Sequence, residues 1–163
     1  MNATIRPARL DDSRTIADLI RELAAYEKLE DQAKATPEAL ARHLFGDRPA
    51  AEVLIAEVEG RPVGFALFFP TFSTFRGQPG LYLEDIFVRP EHRGQGIGKA
   101  LIARVAALAV ERSCGRLEWA VLNWNRPAID FYESRGARPV GEWTTYRVDE
   151  GALADLAGSR SKN

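Results

Sequence analysis

The sequence is poor in cysteine. Cys114 is the only one, so no internal disulfide is possible and a reducing cytoplasm is the natural compartment. It has no excess of one charge either: 22 Lys and Arg against 23 Asp and Glu give a formal net charge of −1. That balance supplies no electrostatic reason to expect nucleic acid or an anionic membrane as partner. No apolar run approaches the ~20 residues of a membrane span. The opening MNATIRPARLDD lacks the charged-then-apolar layout of a signal peptide. The histidines, His43 and His92, are too far apart to suggest a metal pair, and Cys114 has no base beside it in sequence. Metal and acyl-enzyme chemistry are therefore not expected. What is present is ordinary: 163 residues, 45% hydrophobic and 28% charged, suiting one cytoplasmic domain with a single core.

Periodicity and punctuation set out the elements. Ile5–Ala8 is short and β-like, and Asp11 or Asp12 can cap a helix whose face is Ile16, Leu19, Ile20, Leu23 and Ala24. Thr36-Pro37-Glu38 starts a second helix that ends at Gly46. EVLIAEV and VGFALFF read as strands joined by a turn at Glu59-Gly60-Arg61-Pro62. A loop from Pro70 to Gly80 leads to the strand LYLEDIFV, Leu81 to Val88. A long helix from Lys99 to about Ser113, a strand RLEWAVL, a short helix from NWNRP through Tyr132, a β segment around WTTYRVD and a C-terminal helix complete the order. Strands alternating with helices in the second half imply a parallel βαβ unit, and the earlier hairpin makes the sheet mixed. Residues 1–158 are expected to form one domain and 159–163 a disordered tail.

LYLEDIFV poses the chemical question. Six of its eight residues are apolar or aromatic, yet Glu84 and Asp85 sit in the middle. An ionised carboxylate inside a strand is costly without a partner. Neighbours on a regular strand face opposite ways. Either a bulge redirects one carboxylate, or one faces a cleft and the other meets solvent or a partner subunit. A second signal comes directly after the strand. Arg93-Gly94-Gln95-Gly96-Ile97-Gly98 lies between a strand and a helix, where glycines allow a close approach and free helix N–H groups attract phosphate. Alanine after Gly98-Lys99 and the short spacing exclude a Walker loop, and the glycine spacing is not that of a dinucleotide fingerprint.

An Arg-x-x-Gly-x-Gly/Ala run between strand and helix resembles the pyrophosphate loop of the GNAT acetyltransferases. LYLEDIFVRPEHRGQGIG and NWNRPAIDFYESRGA resemble segments of that superfamily, in the same order. With IRPA, ELAAYEKLEDQ, VGFALFF and EWTTYRVD, the chain looks most like its spermidine/spermine (diamine) and thialysine acetyltransferase branch. The resemblance implies an α/β fold, the GNAT acyl-CoA N-acyltransferase fold, with a central mixed sheet, splayed parallel strands and flanking helices. Acetyl-CoA would lie where Leu81–Val88 and Leu117–Leu122 part. Its pantetheine arm would pair with the backbone of Ile86, Phe87 and Val88. Arg93, Gly94, Gln95, Gly96, Ile97, Gly98 and Lys99 would hold the pyrophosphate, with Asn125 and Pro127 touching the cofactor arm from the other side.

By the same resemblance Tyr132 is the general acid and also touches the cofactor. A phenol with a pKa near ~10 stays protonated at neutral pH and can protonate a departing thiolate; a core aromatic is the other reading of Tyr132, and the favoured one for Phe131. Glu84 is implied as the base, directly or through water, because an amine of pKa ~10 arrives protonated. Asp85, Tyr26, Glu27, Glu142 and Trp143 would bind the substrate, although Trp143 could equally be core and Tyr26-Glu27 a solvated helix end. Glu118 departs from the family pattern, and Trp119 and Trp124 read as packing. The expected reaction is acetyl transfer to a primary amine of a small basic molecule, a polyamine, diamine or lysine analogue, by a homodimer without metal. Alternatives are a protein or peptide amine as acceptor, or a non-catalytic CoA-binding module.

Overall fold

A computed structural model of the protein describes residues 3–158; the tail expected at 159–163 lies outside them. Their contacts divide into two compact units, one up to Ala120 and one from Val121 onward. The first unit carries β1 (Thr4–Pro7), α1 (Ser13–Glu27), α2 (Pro37–Phe45), β2 (Glu52–Val58), β3 (Arg61–Ser73), β4 (Gln78–Val88), α3 (Ile97–Glu111) and β5 (Leu117–Glu118). The strands form one sheet in the order β1-β2-β3-β4-β5. Its pairs are antiparallel except β4 and β5, which are parallel across α3.

The apolar run EVLIAEV has no clean alternation because both faces of the sheet are covered. Val53, Ile55, Phe65 and Phe87 pack with Ile16, Leu19 and Leu23 of α1 and with Leu40 and Leu44 of α2. The intervening Leu54, Ala56, Ala66 and Phe68 are buried as well, on the face opposite that cluster. Helix α3, which contacts β1 to β4, buries Ile97, Leu101 and Val105. Phe65 and Phe68 are the largest fully buried side chains, and truncating either would cost about 3–5 kcal/mol.

Local chemistry explains the boundaries. Thr36 caps α2, its hydroxyl accepting from the Ala39 amide at 3.1 Å. The turn from β2 to β3 is tighter than expected: Glu59 and Gly60 have φ of 51° and 74°, the geometry that suits a two-residue hairpin. Asp12 precedes α1 but makes no side-chain cap. Its carboxylate accepts from Arg6 at 2.8 and 2.9 Å and from the Arg9 amide at 2.7 Å. The guanidinium of Arg6 accordingly holds the Asp12 carboxyl below the usual range.

Four expectations need correction. The segment 70–80 is mostly strand: Phe72 pairs with Pro79 and Ser73 with Gln78, across a turn closed by Gly77 at φ 59°. Strand β2 reaches only to Phe68 along β3, so Pro70 occupies an edge where a missing N–H is tolerated. Helix α3 starts at Ile97 and ends at Glu111, not at Lys99 and Ser113, because buried Ile97 anchors its first turn. Strand β5 is confined to Leu117 and Glu118, far shorter than RLEWAVL suggests. The WTTYRVD segment forms no strand: strand-forming side chains alone do not suffice where no neighbour pairs with the backbone among the described residues.

The second unit has α4 (Arg126–Glu133) and α5 (Glu150–Leu156). Asn125 caps α4, its carbonyl oxygen accepting from the Ala128 amide at 3.4 Å, and Pro127 lies in the first turn. Arg126 and Asp130 pair one turn apart.

Candidate active site

The two carboxylates of β4 are accommodated by a bulge. Leu67 of β3 pairs with Asp85 and Phe68 with Leu83, which leaves Glu84 as the extra residue of β4. A bulge bends the strand and re-aims the side chains beyond it. Leu67 and Phe69 pack towards α1 and α2. Asp85 stands opposite Leu67, Tyr82 opposite Phe69 and Phe87 opposite Phe65, so all three share that face. Without the bulge Tyr82 and Asp85, three residues apart, would face opposite ways.

Helix α1 supplies the rest of the cluster. Its amphipathic face buries Ile16, Leu19 and Leu23. Arg89, just past β4, clasps Glu22 at 2.8 to 3.2 Å and donates to the Pro62 carbonyl at 3.0 Å. One turn later come Tyr26 and Glu27, and Lys28 ends the helix in the left-handed region at φ 60°. Asp85 is half-buried and its pKa is pushed up to about 6, first by burial and then by the charges of Glu84 and Glu27. Burial also raises Glu27. No arginine or lysine forms an ion pair with Asp85 among the described residues. A half-buried carboxylate repelled by two others attracts a cation.

Tyr82 belongs to this site although its place in the sequence does not single it out. Its ring stacks on Phe69 at 5.3 Å between centroids. Burial and the charges of Glu84, Glu118 and Asp85 raise its pKa, so the phenol keeps its proton beside the acids. Tyr82 stands in β4 two residues before Glu84; only the bulge shows that Asp85 shares its face. Glu118, opposite Tyr82 on β5, is paired with Arg116.

The pairing of β4 with β5 is brief. They pair at Leu81–Leu117 and Tyr82–Glu118 and nowhere further, so residues 83–88 of β4 continue past the last rung. At the end of β4 comes the glycine loop. Gly94 and Gly96 have φ of 76° and 80°, and an added Cβ at either would meet nothing within 4 Å. Gly96 is the residue before α3 and no side chain caps the helix. An open loop facing uncapped helix amides is a fit for an anionic diphosphate. Lys99 and Gln95 are exposed on it. Arg93 turns its side chain back along the fold: Nε donates to the Val88 carbonyl at 2.8 Å, and the guanidinium carbon lies 4.5 Å from the Tyr26 ring centroid.

Thus Tyr26, Glu27, Glu84, Asp85, Ile86, Phe87, Val88 and the Arg93–Lys99 loop belong to one unit. Asn125, Pro127, Tyr132, Glu142 and Trp143 belong to the other. Within that second unit Asn125 is 6% exposed and serves as the helix cap. Tyr132 is half-buried on α4, while Glu142 and Trp143 lie on exposed, irregular chain. Among the described residues no group of three or more His, Cys, Asp or Glu is arranged to hold a metal, and no helix is long and apolar enough to cross a membrane.

A mixed sheet with one parallel pair, β4 and β5, and a glycine loop between β4 and α3 is the frame that carries these residues. The Acetyltransferase (GNAT) family model matches residues 16–137, and the chain belongs to that family, whose members use acetyl-CoA as co-substrate. The chain is 43% identical over 165 residues to the thialysine N-epsilon-acetyltransferase of Bos taurus, covering 94% of this chain and 96% of the relative. It is 33% identical over 198 residues to the L-ornithine N5-acetyltransferase of Arabidopsis thaliana, covering 94% and 87%. An integron cassette protein from V. cholerae matches with a TM-score of 0.81 at 28% identity, covering 96% of this chain and 98% of that one. The protein is an N-acetyltransferase.

Proposed function

We propose that the enzyme acetylates a terminal primary amine of a small basic molecule, a polyamine, a diamine or a lysine analogue. The observation that carries this reading is the carboxylate cluster: Asp85 lies on the α1 face beside the bulge at Glu84, and the charges of Glu84 and Glu27 push its carboxyl up. Relatives named for thialysine and ornithine, both amino acids ending in an amine, support the same acceptor class. The co-substrate supplies an acetyl thioester. The backbone of Ile86, Phe87 and Val88 is the edge for its arm, and the amides of Arg93 to Lys99 cradle its pyrophosphate. Asn125 and Pro127 are assigned to the same arm.

Asp85 and Glu27 hold the incoming ammonium, and Glu84, open to solvent, takes its proton through water. Loss of that proton exposes the lone pair that attacks the thioester carbon. Tyr132 gives its phenolic proton to the leaving sulfur. Tyr26, next to Glu27 on α1, completes the acceptor site. The working form in this reading is a cytoplasmic homodimer, a state that sedimentation would test. Thiol release from acetyl-CoA, followed against spermidine, putrescine, ornithine, thialysine and a lysine peptide, tests the whole. Turnover of the small amines with poor turnover of the peptide is expected. Exclusive peptide turnover, or CoA binding without any turnover, would overturn it.

A further inference from the structure

The glycine loop explains why its backbone is as it is, but not what the side chain of Arg93 does. Among the described residues that side chain makes three contacts, to Val88, Tyr26 and Phe87, none of them in the loop. Its Nε donates to the Val88 carbonyl at 2.8 Å. Its guanidinium carbon lies 4.5 Å from the centroid of Tyr26 and 5.6 Å from that of Phe87. A guanidinium is planar and weakly hydrated, so it can face aromatic rings while its Nε–H bonds in plane; an ammonium cannot do both. One residue therefore bridges the end of β4, the core ring Phe87 and the last turn of α1. Tyr26 adjoins Glu27, whose charge is felt at Asp85. The helix stops there, its final amides bonding back from Lys28 to Ala25 at 3.2 Å and from Leu29 to Ala24 at 2.8 Å.

We propose that Arg93 is a positioning residue for the acceptor amine: its side chain clasps Tyr26 and so holds Glu27 against Asp85, while pyrophosphate recognition is left to the loop amides. This rests on the amine-acetylating reading above. The contribution divides accordingly. Backbone at Arg93 serves the co-substrate, and side chain serves the acceptor.

Arg93→Met removes the charge and the donors while keeping an unbranched apolar stem. The expected result is an amine KM raised about tenfold, with the acetyl-CoA Kd changed less than about threefold. Arg93→Lys keeps a charge near the ring but loses the fork, and falls between. Tyr26→Leu raises the amine KM by a similar factor, and the Arg93→Met/Tyr26→Leu double variant is no worse than the larger single change, because both remove one contact. A tenfold loss of acetyl-CoA affinity with the amine KM unmoved, or additive effects in the double variant, would overturn the clasp. A readout independent of turnover separates the two claims. Amides of Lys28 and Leu29 exchange hydrogen about tenfold faster in Arg93→Met than in the parent; equal rates refute the clasp even if no amine in the panel is a substrate. Should Arg93→Met not fold, Arg93→Lys and Tyr26→Leu decide by the same measurements.

Discussion

Replacing Asp85 by asparagine should make the protein more stable and less active. In the folded protein the Asp85 carboxyl is raised from 3.8 to about 6. At ~1.4 kcal/mol per tenfold change, keeping it ionised costs the fold about 3 kcal/mol, which solvent screening at a half-buried edge reduces to about 2 kcal/mol. The sign comes from proton binding. Between pH 3.8 and about 6 the folded state holds a proton that the unfolded chain has released, so stability falls as pH rises through that window. Asparagine has no such loss. The difference between variant and parent is therefore small at pH 4 and complete by pH 7.5, where it corresponds to a Tm gain of about 4–8 °C for a chain of this size. Asp12 and Glu52 are held low by Arg6 and Arg112 and weaken both proteins alike in acid, so the difference isolates Asp85. Thermal melts from pH 4 to 8 make the measurement, and steady-state assays should show the amine KM rising. A destabilised variant at pH 7.5, or a gain that does not change with pH, would refute the reasoning.

Tyr132→Phe should lower kcat by ~10² or more in the thiol-release assay, and an unchanged kcat would remove Tyr132 as the acid. Glu27→Gln should raise the KM of a dicationic amine several-fold while leaving that of a monoamine nearly constant, since it deletes one of the charges facing Asp85. Gly64→Ala should cost about 1–3 kcal/mol in denaturant unfolding, because its Cβ would stand 2.5 Å from the Phe87 carbonyl and 3.3 Å from Val88 Cα. Those atoms are backbone, so β3 and β4 must part.

How much of the site was legible in the chain differs from residue to residue. The Arg93–Lys99 loop was readable because glycine at positive φ and a helix start are local events. The acids were readable as types: two carboxylates in an apolar strand demand a reason. Their directions were not, since a single skipped rung decides whether Asp85 shares a face with Tyr82, and a rung depends on a partner strand. The turn at Glu59-Gly60 came from neighbouring residues alone. The stretch 70–80 misled because its prolines and glycines signal a loop wherever a strand is not an edge. Tyr82 and the side chain of Arg93 were missed for the same reason as the bulge, that their partners Phe69 and Tyr26 are distant in sequence.

By itself, then, the sequence determined the order of helices and strands as far as α4, the glycine loop and the presence of acid in the sheet, because these depend on periodicity and on what each residue's backbone tolerates. Tertiary structure decided where β4 and β5 stop pairing, which carboxylate faces α1, and how strongly Asp85 resists ionisation. Those are matters of register and distance between charges, and they exist only once strand and helix have packed.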